Sequence, residues 1–267
     1  MQKYNIPVEA TLEVIGGKWK VVILCHLILG TRRTGELKRL MPGITQKMLT
    51  QQLRELEEDG MITRFIYNQV PPKVEYSLTK YGQSLKDILD SLCTWGEKHI
   101  ERKYENKFDV LKESILNEHI QVSPRIINMD ESTEIKKYNI PVEATLEVIG
   151  GKWKVVILCH LILGTRRTGE LKRLMPGITQ KMLTQQLREL EEDGMITRFI
   201  YNQVPPKVEY SLTKYGQSLK DILDWLCAWG GRHIERNYEN KFDMVKESIL
   251  NEHMKKIQNE AEDLYIE

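Results

Sequence analysis

Lys47, Gln51 and Arg54 stand four and then three residues apart, the spacing that brings side chains to one face of an α-helix. An ammonium and a guanidinium can meet phosphate or guanine, and a carboxamide offers a donor beside an acceptor to a base edge. Thr45, Gln46 and Thr50 add two hydroxyls and a second amide in the same stretch. All six recur 134 positions later as Thr179, Gln180, Lys181, Thr184, Gln185 and Arg188. From Thr31 to Arg54 there are six basic residues, Arg32 and Arg33 among them, against the single acid Glu36. The local balance is +5 in a chain whose formal net charge is only +1. Acids then crowd the far end of the segment, at Glu55, Glu57, Glu58 and Asp59. That polarity suits a helix meeting a duplex through its N-terminal half. Charge and glutamine on a helix face more often serve only solvation, so the neighbouring elements must decide.

Pro7 suits a first helical position, and Val8, Leu12 and Ile15 follow at helical spacing as far as Gly16-Gly17. Lys18–Leu29 reads as a second helix stopped by Gly30. Thr34 can cap a short helix through Leu40, ahead of Pro42-Gly43. Thr45 then caps the basic segment. With Leu49 at zero on a helical wheel, Leu53 and Leu56 fall within about 40°, so Lys47, Gln51 and Arg54 face the other way. Gly60 is the expected stop. Met61–Tyr67 and Val74–Leu78 are β-rich, and Pro71-Pro72 between them forbids ladder bonds at the tip. Lys73, with Asn68 and Gln69, either reaches a minor groove or phosphate from that tip or belongs to an ordinary polar loop. Its counterpart is Lys207, as Arg166 and Arg167 are those of Arg32 and Arg33. Thr79 is expected to cap one long final helix carrying Leu85, Ile88, Leu89, Leu92 and Trp95, an apolar stripe too wide for one small domain to cover. Lys103–His119 is expected to prolong it. Short helix, turn, helix and hairpin is the winged helix-turn-helix order. The fold class is therefore mainly α with small β-hairpins, an α+β arrangement.

Other chemistry is poorly represented. His26, His99 and His119 are scattered without a matching nucleophile or metal spacing, and Gly16-Gly17 lies in no phosphate-binding loop. No catalytic residue, metal ligand or cofactor is expected, and the chain does not read as an enzyme. The four cysteines, Cys25, Cys93, Cys159 and Cys227, form no CxxC pair and read as reduced thiols in or near the core. The longest apolar run, Val21–Leu29, is broken by His26 and far too short to span a membrane. No apolar segment precedes Pro7, so a cytoplasmic protein without a secretory signal is the expectation.

The organising fact is a duplication. Lys3–Asp90 and Lys137–Asp224 are 88 identical residues. The copies then drift: Ser91 becomes Trp225, Thr94 becomes Ala228 and Glu97 becomes Gly231. This period is that of a whole domain, not a solenoid unit. The chain divides into a first winged helix-turn-helix domain at 1–120, a linker at 121–136, a second domain at 137–254 and a tail at 255–267. Fully extended, the linker reaches about 55 Å, so the copies can lie side by side.

Three stretches present in both copies, "PVEATLEVIGGKWK", "GELKRLMPGITQKMLTQQLRELEEDGMITR" and "VPPKVEYSLTKYGQSL", resemble the HxlR-type transcriptional regulators, winged helix proteins akin in architecture to the MarR group. The resemblance implies a homodimer joined by its terminal helices, with two recognition helices in successive major grooves, and a repressor as the commoner habit. Members that sense oxidants carry a cysteine directly before the Pro-Val-Glu-Ala motif. Here that place holds Ile6 and Ile140. A redox or small-molecule effector stays open, through Cys25 and Cys159 or through Cys93 and Cys227. Trp95, Tyr104, Phe108 and Leu92 could line a ligand cleft or form dimer core. The expected partners are double-stranded DNA bearing an inverted repeat and, in an intrachain pseudo-dimer, the other copy. Neutral drift or deliberate joining would leave the same pattern of differences. The rival to DNA binding is a winged helix turned to protein interaction or ligand sensing.

Overall fold

The computed structural model describes residues 3–70, 72–104, 138–204 and 207–238. In the first copy α1 spans Val8–Ile15, α2 Lys18–Ile28, α3 Thr34–Leu40 and α4 Gln46–Glu58. Thr45 caps α4 by accepting from Met48 N at 3.2 Å, and Gly60 closes it at φ +69°, a left-handed turn that glycine adopts without a Cβ penalty. The cap of α3 differs from expectation. Arg33, not Thr34, is the capping residue, and the Glu36 carboxylate accepts from Arg33 N at 2.6 Å.

A hairpin of β2 (Ile62–Tyr67) and β3 (Lys73–Leu78) pairs Ile62 with Leu78 and Tyr67 with Lys73. A two-residue strand invisible in the sequence pattern, β1 (Arg32–Arg33), lies against β3 on its other side, Arg33 opposite Glu75. The antiparallel order is β1-β3-β2. The expected single terminal helix is two. Thr79 caps α5 (Lys80–Gln83), accepting from Gly82 N at 2.9 Å. Ser84 N and Leu85 N then bond back only three residues, to Tyr81 and Gly82, before α6 (Lys86–Lys103) begins. The tighter turn re-aims α6, whose Ile88, Leu89, Leu92 and Trp95 are buried. Most of the extension expected at 103–119, with Phe108, lies outside the described residues, as do the linker and the tail.

The second copy repeats the pattern as α7 (Val142–Ile149), α8 (Lys152–Ile162), β4 (Arg166–Arg167), α9 (Thr168–Leu174), α10 (Gln180–Glu192), β5 (Ile196–Tyr201), β6 (Lys207–Leu212), α11 (Lys214–Gln217) and α12 (Lys220–Asn237). Its sheet order is β4-β6-β5.

The chain forms two compact units whose borders are not those of the repeat. One is Lys18–Glu147; the other joins Met1–Gly17 to Val148–Glu267. Each therefore holds the body of one copy and first-helix residues of the other. In the second unit α1 lies on α12. Thr11 Oγ1 donates to the Leu226 carbonyl at 2.6 Å, Glu9 meets Lys152 at 3.1 Å, and Tyr4, Ala10 and Ile234 pack together against Tyr238. The approach at Gly230 is so close that a Cβ there would lie 2.1 Å from the Pro7 carbonyl oxygen. In the first unit the N-terminal part of α7 meets α6 in the same way. Thr145 Oγ1 donates to the Leu92 carbonyl at 2.6 Å, and Gly96 faces the Pro141 carbonyl oxygen at the same 2.1 Å from an added Cβ.

Candidate nucleic-acid interface

The interface begins with a seam. Leu49, Leu53 and Leu56 are 0%, 1% and 0% exposed, each contributing about 1.5–3 kcal/mol by burial. They fix the roll of α4, so Thr45, Gln46, Lys47, Thr50, Gln51 and Arg54 are all exposed. Among the described residues, Lys47 and Arg54 make no ion pair. Lys47 has no acid within one turn in either direction. Arg54 has Glu57 and Glu58 ahead of it, and both are exposed as well. The Thr50 hydroxyl donates to the Gln46 carbonyl at 2.9 Å, which leaves its oxygen as an acceptor. Gln51 Nε2 donates to Glu55 at 2.9 Å. On α10 the equivalents Thr179, Gln180, Lys181, Thr184, Gln185 and Arg188 are likewise exposed.

The wing is built differently. Lys73 Nζ sits 2.6 Å from Glu75 and 4.2 Å from the centre of the Tyr67 ring, while the Tyr67 hydroxyl donates to Glu75 at 2.7 Å. Arg33 Nε reaches the same carboxylate at 3.5 Å. The hydrogen bond from Lys73, then that from Tyr67, hold the Glu75 carboxyl below its ordinary range, and the Tyr67 hydroxyl is pushed up by the carboxylate it bonds. Lys207, Glu209, Tyr201 and Arg167 repeat the arrangement at 2.6, 2.7 and 3.4 Å. Arg32 and Arg166 are half-buried beneath the hairpin edge. Arg64 and Arg198, which the sequence reading passed over, stand exposed on β2 and β5. Strand alternation could not have marked them, since Arg64 shares the face of buried Ile62 and the strand is exposed on both faces from Thr63 to Ile66. In the second copy an open cleft of about 570 Å³ lies between α9 and the wing, lined by Arg167, Glu170, Arg173, Gln203 and Lys207 among others.

Glu75 and Lys20 were missed as well. Lys20 sits in the apolar run of α2, its side chain 9% exposed, 3.1 Å from Glu55 and 3.6 Å from Asp59. A lysine between apolar neighbours is itself a signal, because a buried cation needs acids.

The cysteines approach each other across α2 and α6 in the first copy and across α8 and α12 in the second. Cys25 Sγ lies 3.9 Å from Cys93 Sγ, and Cys159 Sγ 3.8 Å from Cys227 Sγ. All four are free thiols. The hydrogen bond with its neighbour and then burial push the Cys25 and Cys159 thiols up, away from the reactive thiolate. Among the described residues no cluster of histidine, cysteine and carboxylate fits a metal ion.

Comparison with known proteins agrees with this geometry. The sequence pattern described as HxlR-like helix-turn-helix matches residues 14–104 and again 148–238. An uncharacterized HTH-type transcriptional regulator of Bacillus subtilis (strain 168), YtcD, is 70% identical over 122 residues, 46% of this chain and 97% of YtcD. A second from the same organism, YkvN, is 55% identical over 117 residues, 43% of this chain and 99% of YkvN. Less than half of the chain thus spans nearly a whole relative. Among solved structures, the redox regulator HypR in its oxidized form is 53% identical over 38% of this chain and 99% of its own, with a TM-score of 0.34.

Proposed function

Because the chain belongs to the HxlR-like helix-turn-helix family, we propose that it is a sequence-specific, double-stranded-DNA-binding transcriptional regulator, and a repressor, whose α4 and α10 read two equivalent half-sites. One observation carries the reading. The leucine seam turns Lys47, Gln51 and Arg54 outward, with both cations uncommitted, in a segment whose local charge is +5. Uncommitted cations can neutralise phosphate, and the amide can read a base edge. A DNA-binding role places its action where the DNA is, in the cytoplasm on this reading. Among the described residues no helix is long and apolar enough to cross a membrane.

Selection from a random duplex pool tests the reading. One motif should be recovered twice, as an inverted repeat with centres about 34 Å apart. Affinity should fall with salt by a log–log slope of about −0.9 per phosphate neutralised. The absence of any DNA complex would leave the protein-interaction or ligand-sensing module. A reporter behind the selected site should rise when the protein is removed; a fall would make the regulator an activator.

We take each copy's partner to be the other copy of the same chain. The exchanged first helices support this, as does the effective concentration that covalent joining gives, about millimolar over short spans. The chain should scatter light as one chain at micromolar concentration, and a two-chain particle would overturn the pairing. Substitution of both Gly96 and Gly230 by alanine forces a Cβ onto a carbonyl oxygen and should lower the unfolding midpoint and DNA affinity together. Gly231→Ala, on α12 with nothing within 4 Å of the added Cβ, should instead leave the midpoint unchanged or raise it.

A further inference from the structure

Glu55 is a junction. Its Oε1 accepts from Gln51 Nε2 at 2.9 Å, and its Oε2 from Gln52 Nε2 at 3.3 Å and from Lys20 Nζ at 3.1 Å. In the second copy the same bonds to Glu189, from Gln185, Gln186 and Lys154, measure 3.0, 3.3 and 3.1 Å. Lys20 is buried in α2 and braced also by Asp59, so one end of the network is anchored in the core. The other end, Gln51, stands on the exposed face of α4.

The network has a directional consequence. The hydrogen bond from Gln51 and the charge of Lys20, against some opposing burial, hold the Glu55 carboxyl below its ordinary range. At neutral pH it is a carboxylate, which accepts hydrogen bonds and donates none. A carboxamide beside it must therefore turn its nitrogen, never its oxygen, toward Glu55. The two ends of an amide differ, one a donor and one an acceptor, and a fixed anion selects between them. Gln51, an exposed residue, keeps its second N–H and its carbonyl oxygen for another partner, an adjacent donor and acceptor. That pair matches the N6 and N7 positions of adenine in the major groove.

We propose that Lys20 and Glu55, with Lys154 and Glu189, are positioning residues that fix the amide orientation of Gln51 and Gln185, so that each recognition helix selects adenine at one position of its half-site. The inference rests on the DNA-reading role given to α4 and α10. Glu55 touches no base; it acts through the glutamine. Gln52 is half-buried and occupies the remaining side of the carboxylate, which stops Glu55 from swinging toward the duplex. Lys20 keeps the carboxylate from being repelled by phosphate.

The test uses the full chain with substitutions in both copies: Glu55→Gln with Glu189→Gln, Lys20→Arg with Lys154→Arg, and Gln51→Ala with Gln185→Ala. Each is titrated by gel shift on the selected duplex, on duplexes carrying adenine-to-guanine changes at each half-site position, and on a scrambled duplex, with thermal unfolding alongside. In the unsubstituted chain one adenine per half-site should discriminate by about tenfold. The glutamine-to-alanine and glutamate-to-glutamine variants should both lose that discrimination, at that position only, with affinity for the scrambled duplex unchanged. Lysine-to-arginine should retain it. Discrimination kept in the glutamate variant, or lost evenly at all positions as the unfolding midpoint falls, would overturn the positioning role. If Gln51→Ala keeps every preference, the reader is another residue and the proposal fails while the regulator reading stands. If the unsubstituted chain forms no DNA complex, both fall. The glutamate variant remains decisive even where a substitution at buried Lys20 does not fold, because the Glu55 side chain is 33% exposed.

Discussion

On α4 two cations, Lys47 and Arg54, stand on an exposed face without an ion pair among the described residues. On the wing, Lys73 and Arg33 converge on one carboxylate, at 2.6 and 3.5 Å. In the sequence Arg33 counts with the basic Thr31–Arg54 segment, and the wing tip offers Lys73. The difference comes from what surrounds them. Lys47 has no acidic residue one turn above or below. In the wing the antiparallel ladder places Glu75 opposite both Arg33 and Phe65 and one pleat from Lys73, so one carboxylate is shared by two cations within the sheet. A protruding hairpin has little core to stiffen it. Here a tyrosine, a carboxylate and a lysine stiffen it instead, and the cation used for that is not free for a phosphate.

If this contrast holds, perturbing the helix should cost far more DNA affinity than perturbing the wing. Replacing Lys47, Arg54, Lys181 and Arg188 together with alanine should weaken binding on the order of 100-fold and shrink the salt slope by about 3–4, with the unfolding midpoint unchanged. An unaltered affinity would break the comparison outright. Next in size is the cap. Thr45→Ala with Thr179→Ala should cost about 1 kcal/mol of stability per helix, read by denaturant unfolding, and should blunt binding through fraying of the reading end. The wing has no equivalent single point of failure.

Glu75→Gln with Glu209→Gln should act in the opposite direction. Releasing Lys73 and Arg33 should raise affinity by about threefold and steepen the salt dependence, by the same counterion arithmetic. The pH behaviour follows from the depressed Glu75 carboxyl. Its interactions stabilise the wing above the ordinary carboxylate value and are lost only as pH falls through the lower folded value. Between about pH 6 and 8, well above carboxylate titration, the wing should therefore contribute no change in DNA affinity at fixed ionic strength, as titration in matched buffers would show. The smallest effect belongs to Lys73→Ala with Lys207→Ala, about twofold or less in affinity. A loss as large as that from the helix would mean that the lysine leaves Glu75 when DNA binds.

Much of the fold was legible because it obeys local rules. Thr45 and Gly60 bracket α4 by capping chemistry, and the three leucines recur at helical period, so the exposed face could be assigned from spacing alone. The hairpin announced itself by alternation and two prolines. The division of the terminal helix at Ser84 was not legible, since Leu85 continues a helical apolar period across the tighter turn that Ser84 N and Leu85 N make. The strand β1 was equally hidden, because two arginines carry no strand signature until β3 lies beside them.

Two levels of information can thus be separated. Duplication, winged helix-turn-helix order and the outward face of the basic helix follow from periodicity, caps and composition, which act between residues close along the chain. Which cations stay free, why a lysine sits in the core, how Gln51 is oriented, and the placing of each first helix on the other copy's terminal helix depend on contacts between residues distant along the chain. Such contacts arise only after the elements pack, because charge pairing and close backbone approach are set by distance in space and leave no period in the sequence.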